Sequence, residues 1–456
     1  MKNGATHLFF ALMLTAAVLP SQAAEDENRL SDKVVHPQVE NFPKRPRLLL
    51  ELGERFLSPG PLREGWRIPT GATWHPALWV FGTLRTGVQG VKTGAQTSEW
   101  ANRLDIYGNL RISGTERIVV GFRPLNEFSG VGYHFRPSNN PATPNGWRNK
   151  FSGRLTTLFF EGEIGEIFPG WDNDDRHALD IGFSVGRQDL VFQDGMLIND
   201  NMDAVGLTRN SLMPWGLTNL RVTGLYAWNN IHRHDLLEDN SAHFFGLFTE
   251  ADSRSTTVSI DMAYMMAKAA TGDAFYAGVS AIQHIGPLNT VFRVNASIPV
   301  KGDTPATGRG ALVYSEWSWV KPHSNNLVYF TNFWAIRRYS TATRDPGSPG
   351  PLYRAGILFT PAPMGRYGAA LSSQTTDVVG GSLAYQMTFA RDRKQLIFEA
   401  GGRKDTNGIN AGAAAIGMRY QNAVGRRMVV QLDGFASVRQ TGPATYGGRF
   451  EILTKF

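Results

Sequence analysis

The densest collection of potentially reactive groups lies between Val185 and Leu212, in "VGRQDLVFQDGMLINDNMDAVGLTRNSL". Arg187, Asp189, Asp194, Asn199, Asp200, Asn201, Asp203 and Arg209 stand there among apolar residues that an exposed loop does not need. Guanidinium and carboxylate groups at this density pair with one another. Any arginine left over can hold an anion, because its planar fork matches carboxylate and phosphate geometry. The segment follows a strand-like stretch, "HALDIGFSVGRQ", and is read as an external loop over 189–216. It either folds into a lumen as a constriction or stays on the surface, held by the same ion pairs. Arg187 shares its phase with Leu179, Ile181, Phe183 and Val185, so the strand either ends before it or is re-aimed by a bulge.

Further arginines fall opposite apolar residues in alternating stretches: Arg103, Arg111, Arg117, Arg123, Arg221, Arg293, Arg403, Arg427, Arg439 and Arg449. A ring or ladder of these would select anions. Asp105, Glu399, Asp433 and Glu451 are available to pair with part of the set, as buried charges generally require. The candidate lumen and constriction residues are therefore Arg103, Arg111, Arg117, Arg123, Arg187, Asp189, Arg209, Arg221, Arg293 and Arg427. Other signals carry less. "WDNDDR" (171–176) lacks the spaced ligands and glycine of a calcium loop, and "HRH" (232–234) has no third ligand nearby in sequence. Ser241 and His243 have no spacing that supports a hydrolase, and no nucleophile-elbow, phosphate-loop or zinc motif occurs. No catalytic residue, metal site or cofactor is expected.

The elements that must position these groups are strands. In "NRLDIYGNLRI", Leu104, Ile106, Gly108, Leu110 and Ile112 occupy one face, and Arg103, Asp105, Tyr107, Asn109 and Arg111 the other. "LNTVFRVNASI" and "RRMVVQLDGFASVRQ" repeat the pattern. Stretches of this length approach the ~9–11 residues of a tilted membrane-crossing strand, whereas sandwich strands run nearer ~5–6. Trp228, Trp317, Trp319, Tyr329, Phe333 and Trp334 fall near the ends of apolar faces, as in an interfacial girdle.

Eighteen strands are expected: 77–88, 102–112, 117–125, 151–163, 177–188, 217–229, 242–250, 255–266, 274–285, 288–299, 309–320, 326–337, 352–360, 378–390, 394–404, 411–421, 426–438 and 446–456. Sixteen is the alternative. This series puts the short links "ADSRS" and "HIGPL" outside the cell, where long loops are usual. Either 352–360 belongs to a long loop and a strand is missing upstream, or those external links are simply short.

Composition agrees with one large all-β architecture: 49 glycines, 11% aromatics, 19% charged residues, no cysteine and a formal charge of +7. Lys2, the apolar run Leu8–Leu19 and the small-residue "SQA" ending at Ala23 read as a secretory signal peptide. The expected organisation is a signal peptide over 1–23, a periplasmic lead-in over 24–75 that includes a short helix or plug-like cap, and a transmembrane antiparallel β-barrel over 76–456.

The sequence ends in a two-faced strand, "TYGGRFEILTKF". Tyr446, Phe450, Ile452 and Phe456 are expected to face lipid, and Arg449, Glu451 and Lys455 the lumen. In a closed barrel this strand must pair with the first, near 77–88. Phe450, Ile452 and the terminal Phe456 also resemble the signal that barrel-assembly machinery recognises.

With the signal peptide, the inferred lumen arginines, "GFSVGRQDLVFQDGMLIND" and the strand count, the chain resembles the alginate-export type of outer-membrane porin over roughly 75–456. That resemblance implies a passive conduit for an anionic polysaccharide. The expectation is an outer-membrane channel for anionic small molecules or acidic polysaccharide, surrounded by outer-membrane lipids, with no chemistry and no nucleic-acid partner. A barrel that anchors or sheathes periplasmic partners through 24–75 is the alternative.

Overall fold

The computed structural model describes residues 45–57, 64–125, 132–137, 146–171, 179–408 and 412–456. The expected signal peptide, most of the expected lead-in and nearly all of "WDNDDR" lie outside these residues. Each long alternating stretch pairs with its neighbours in sequence, which generates an antiparallel meander. The wall strands are β1 Ala77–Thr93, β2 Ala95–Arg111, β3 Arg117–Phe122, β4 Leu155–Glu163, β5 Ile181–Phe192, β6 Ile198–Leu212, β7 Asn219–Asn229, β8 His243–Asp252 and β9 Thr256–Met266. They continue as β10 Ala274–Ile285, β11 Leu288–Pro299, β12 Gly310–Val320, β13 Leu327–Arg338, β14 Thr376–Phe389, β15 Lys394–Asp405, β16 Ala413–Val424, β17 Met428–Arg439 and β18 Thr445–Lys455.

The last strand closes on the first. β18 pairs with β1 from Thr445↔Thr93 to Lys455↔Thr83, and Phe456 exchanges both backbone hydrogen bonds with Gly82. Among the described residues the ring of eighteen wall strands therefore has no free edge. Among the described residues no helix is long and apolar enough to cross a membrane; the crossing elements are the strands. Leu84, Val88, Leu110, Leu158, Leu207, Leu247, Ile260, Val294, Leu383, Ile416 and Phe450 are exposed on the outer face although large and apolar. That inversion of the soluble pattern is what a lipid-facing surface requires.

The count of eighteen is reached by a different strand set. β6 occupies residues expected to be external loop, and 352–360 is no strand but two successive 3₁₀ turns, Tyr353–Ala355 and Ile357–Phe359. With both changes, "ADSRS" and "HIGPL" become links on the side of the chain terminus at Phe456, the side where short turns belong. The run "LYRAGILF" misleads because its apolar side chains are buried inside the barrel rather than against lipid. Leu358 and Phe359 pack with Leu312, Phe333 and Ala415.

Tyr329 and Phe333 also differ from expectation. Both point inward: Tyr329 donates to Glu399 at 2.7 Å, and Phe333 stacks edge-on against Phe359. Trp228 and Trp334 remain exposed. The described part of the lead-in contains extended segments instead of a helix: Leu50–Leu52 pairs with β1 at Leu78–Val80, and Trp66–Arg67 pairs with Thr73–Trp74.

Candidate functional site: the lumen constriction

Two segments leave the wall and enter the lumen. The first is the upper half of the β5–β6 hairpin. β5 pairs with β4 only as far as Arg187↔Leu158, and β6 pairs with β7 only from Asp203↔Asn229 downward. Between those limits β5 and β6 hold only each other, in an unbroken register from Ile181↔Arg209 to Phe192↔Ile198. Arg187 thus marks neither a strand end nor a shift in that register. It grips Asp203 with both prongs, at 2.7 and 2.9 Å, at the level where the hairpin leaves the wall.

One side of the inward hairpin packs on the wall. Leu190, Phe192, Ile198 and Met202 join a cluster with Phe244 and Phe248, and the Phe192 and Phe248 rings stack with centroids 3.5 Å apart. Fully burying side chains of this size stabilises the docked hairpin by about 1.5–3 kcal/mol each. The tip, Gln193–Asp194–Gly195, has φ values of 53°, 49° and 77°, a left-handed run that tightens the turn. Gln193 donates to Asp261 at 2.7 Å, while Asp194 bridges Arg293 of β11 and Arg354. On the opposite side, Asp189 is exposed, and its charge acts on Tyr107 of β2 and on Arg123 after β3. The face that carries Val185 lower in the strand therefore looks into the pore above.

The second segment is the loop 339–375 between β13 and β14. Its chain lies against the interior of many strands. Glu399 of β15 accepts from the backbone N–H groups of Ile357 (2.8 Å) and Leu358 (3.2 Å). Thr331 donates to the Ala355 carbonyl at 2.6 Å, Arg103 to that of Pro363 at 2.9 Å, and Gln89 to that of Met364 at 3.2 Å. Wall glycines make room for the loop. A Cβ on Gly417 would come within 2.7 Å of Leu358, and one on Gly87 within 2.6 Å of Met364. Hairpin and loop meet where Ile198–Asn199 pairs in parallel with Thr343–Arg344, and Tyr339 donates to the Met196 carbonyl.

Facing these segments is a basic wall. Arg85 of β1, Arg103 of β2, Arg123 after β3, Arg419 of β16 and Arg449 of β18 are brought side by side because β18 pairs with β1. Asp105 binds Arg103 and Arg123, each at 2.7 Å, and Asp433 binds Arg419 at 2.6 Å and Arg449 at 3.3 Å. Glu451 pairs with Arg85 at 3.1 Å and with Arg449. Five guanidiniums are thus set against three carboxylates in that row, leaving it net positive; Asp189 approaches from the hairpin opposite.

The other sequence candidates are distributed around this region. Arg293 is buried beneath the hairpin tip, and Arg221 pairs with Glu250 at 3.0 Å. Both line a cavity of ≈ 440 Å³ with Asp194, Asp261 and several hydroxyl side chains. Arg117 pairs with Glu161. Arg111 pairs with Glu54 of the lead-in and lies over the Trp79 ring. Two arginines leave the expected lumen face. Arg209 is opposite Val222 and in phase with the lipid-exposed Leu207. Arg427 is in the β16–β17 turn and donates to the Arg47 carbonyl, because the strand begins at Met428, two residues later than expected. Arg85, Arg354 and Arg419 were missed. Arg85 and Arg419 were legible, since each alternates with an exposed apolar neighbour, Leu84 or Met418. Arg354 was hidden by reading its segment as a strand.

A closed eighteen-strand barrel with an apolar exterior and a polar lumen narrowed from within has the fold of outer-membrane porins, and barrels of this build sit in the bacterial outer membrane. No protein-family model matches the sequence, and no curated protein matches it. Solved structures do share the fold. Pseudomonas aeruginosa OccK2 (OpdF) matches with a TM-score of 0.58 at 9% identity, over 83% of this chain and 97% of that one. The same protein in complex with glucuronate gives 0.57 at 10% identity, covering 83% and 98%. P. aeruginosa OpdK with vanillate gives 0.56 at 11% identity, also covering 83% and 98%. These neighbours carry other names than the alginate-export porins, so the resemblance read from sequence holds at the level of the barrel fold.

Proposed function

We propose that the chain is a passive outer-membrane channel for small organic anions, above all carboxylates, and that it performs no chemistry. The observation that carries this reading is the unequal row of Arg85, Arg103, Arg123, Arg419 and Arg449 against Asp105, Asp433 and Glu451. Fixed, part-buried guanidiniums lower the entry barrier for an anion and offer two-pronged contacts along its path. Glucuronate and vanillate, the compounds named with two of the fold neighbours, are both carboxylates. An acidic polysaccharide of the alginate kind is the less suited passenger, because hairpin and loop both narrow the lumen and a chain of sugars would have to thread past them.

The test is reversal potential across a planar bilayer under a salt gradient, with glucuronate or benzoate added to one side. Anion selectivity and a carboxylate-dependent drop in chloride current are expected. A cation-selective pore would overturn the proposal.

A second reading has its own support. Leu49, Leu50, Leu52, Leu57 and Trp66 are exposed in the lead-in segment. Such a surface suits a barrel that also anchors a periplasmic protein. Co-purification of a partner that is lost on replacing these residues with serine would favour it.

A further inference from the structure

"HRH" (232–234) has no third ligand near it in the sequence. The fold supplies two. The parallel pairing Ile198↔Thr343 and Asn199↔Arg344, continued by one residue, lays Asp345 beside Asp200, and the Asp345 N–H donates to the Asn199 carbonyl at 2.9 Å. His232 reaches the same point from the loop 230–242: its Nδ1 is 2.9 Å from Asp200 Oδ1, and its backbone N–H donates to Oδ2 at 2.8 Å. One donor atom from each of Asp200, His232 and Asp345 lies within 4.8 Å of the others.

Two carboxylates placed side by side in adjacent strands repel. Here one of them is fully buried, its side chain 0% exposed. Among the described residues no lysine or arginine bridges either carboxylate, and Glu238, paired to His232 through a β-bridge, adds a third negative group. The buried Asp200 carboxylate accepts from His232 and from the Asn201 N–H at 2.8 Å, and among the described residues meets no guanidinium.

We propose that Asp200, His232 and Asp345 form a binding site for a divalent first-row transition cation. It ties the inward hairpin to the two external loops, 230–242 and 339–375. One imidazole and two carboxylates are a donor set of the kind Zn²⁺ accepts, with a fourth position left for water. Bonds of about 2.0–2.2 Å need the donors to close by roughly an ångström, which the part-exposed Asp345 permits.

The experiment uses the full-length folded barrel, stripped with chelator and dialysed against Zn²⁺, alongside Asp345→Asn and, as a control, Asp235→Asn. Asp345→Asn removes the charge of a side chain that makes no hydrogen bond or ion pair among the described residues, and the shift between unheated and boiled gel bands checks that each variant is folded. One Zn²⁺ per barrel is expected for the parent and Asp235→Asn, with affinity down at least tenfold in Asp345→Asn. Current noise through single channels should rise when the parent is chelated and should not change in Asp345→Asn. Uptake below one equivalent in the parent, or uptake unchanged in Asp345→Asn, would overturn the proposal. So would Ca²⁺ binding in preference to Zn²⁺, since an imidazole ligand argues against it.

Discussion

At the scale of single residues, charge balance decides what this lumen can pass. Arg123 shares Asp105 with Arg103 and also feels the charge of Asp189 on the hairpin, so it is the guanidinium that links the basic wall to the hairpin electrostatically. A unit charge at this range in a partly solvated pore is worth about 1 kcal/mol. Arg123→Gln should therefore lower the anion-to-cation permeability ratio several-fold, and Asp189→Asn should raise it; bi-ionic reversal potentials measure both. A different kind of test lies in the external loops. Burial alone would raise the Asp239 carboxyl, but hydrogen bonds from Ser241 and Thr271 and the charge of Arg233 hold it below the usual range. A depressed folded pKa contributes stability that is present above the unfolded value and is lost as pH falls through the folded one. Protection of the amides in 230–242 and 267–273, taken relative to the intrinsic exchange rate at each pH, should accordingly fall below about pH 4 and not on the alkaline side.

At the scale of elements, the hairpin and the loop 339–375 are the parts that make a pore out of a barrel. Replacing 189–201 by a short turn should raise conductance severalfold while the unheated barrel band is retained, because the wall below Arg187 and Asp203 is fully paired. An unchanged conductance would mean that the loop alone sets the passage. The loop depends on close approach to wall glycines. Gly417→Leu would drive a side chain into Leu358, an overpacking cost of about 1–3 kcal/mol. The expected result is a loop displaced from Glu399 and a noisier, altered conductance in a barrel that still folds. Half of this arrangement could be read in advance. The inward folding of the segment after Arg187 was one of two expectations drawn from its ion-pairing residues, whereas the long loop was mistaken for a wall strand. Alternation cannot distinguish apolar residues that face lipid from apolar residues that plug a lumen, since both are surrounded by hydrocarbon.

At the scale of the whole molecule, stability rests on closure. The β1–β18 seam satisfies the last backbone edge, and Phe456 completes it through Gly82. Deleting Phe456 should reduce the amount of inserted barrel in cells, with the heat shift of the surviving fraction unaltered. Normal insertion would remove the terminal aromatic from the recognition signal.

The alternating sequence by itself determined the class of fold, the lipid and lumen faces of most strands, and the pairing of the last strand with the first. Period-two alternation is local, and closure follows once every strand must satisfy both edges in lipid. Tertiary structure alone decided which turns point outward, where the hairpin leaves the wall, and which arginines share a carboxylate. It also placed Asp200, His232 and Asp345 together, from segments 32 and 113 residues apart by their numbers (232 − 200 and 345 − 232). Those outcomes depend on contacts across the lumen, which no periodicity along the chain records.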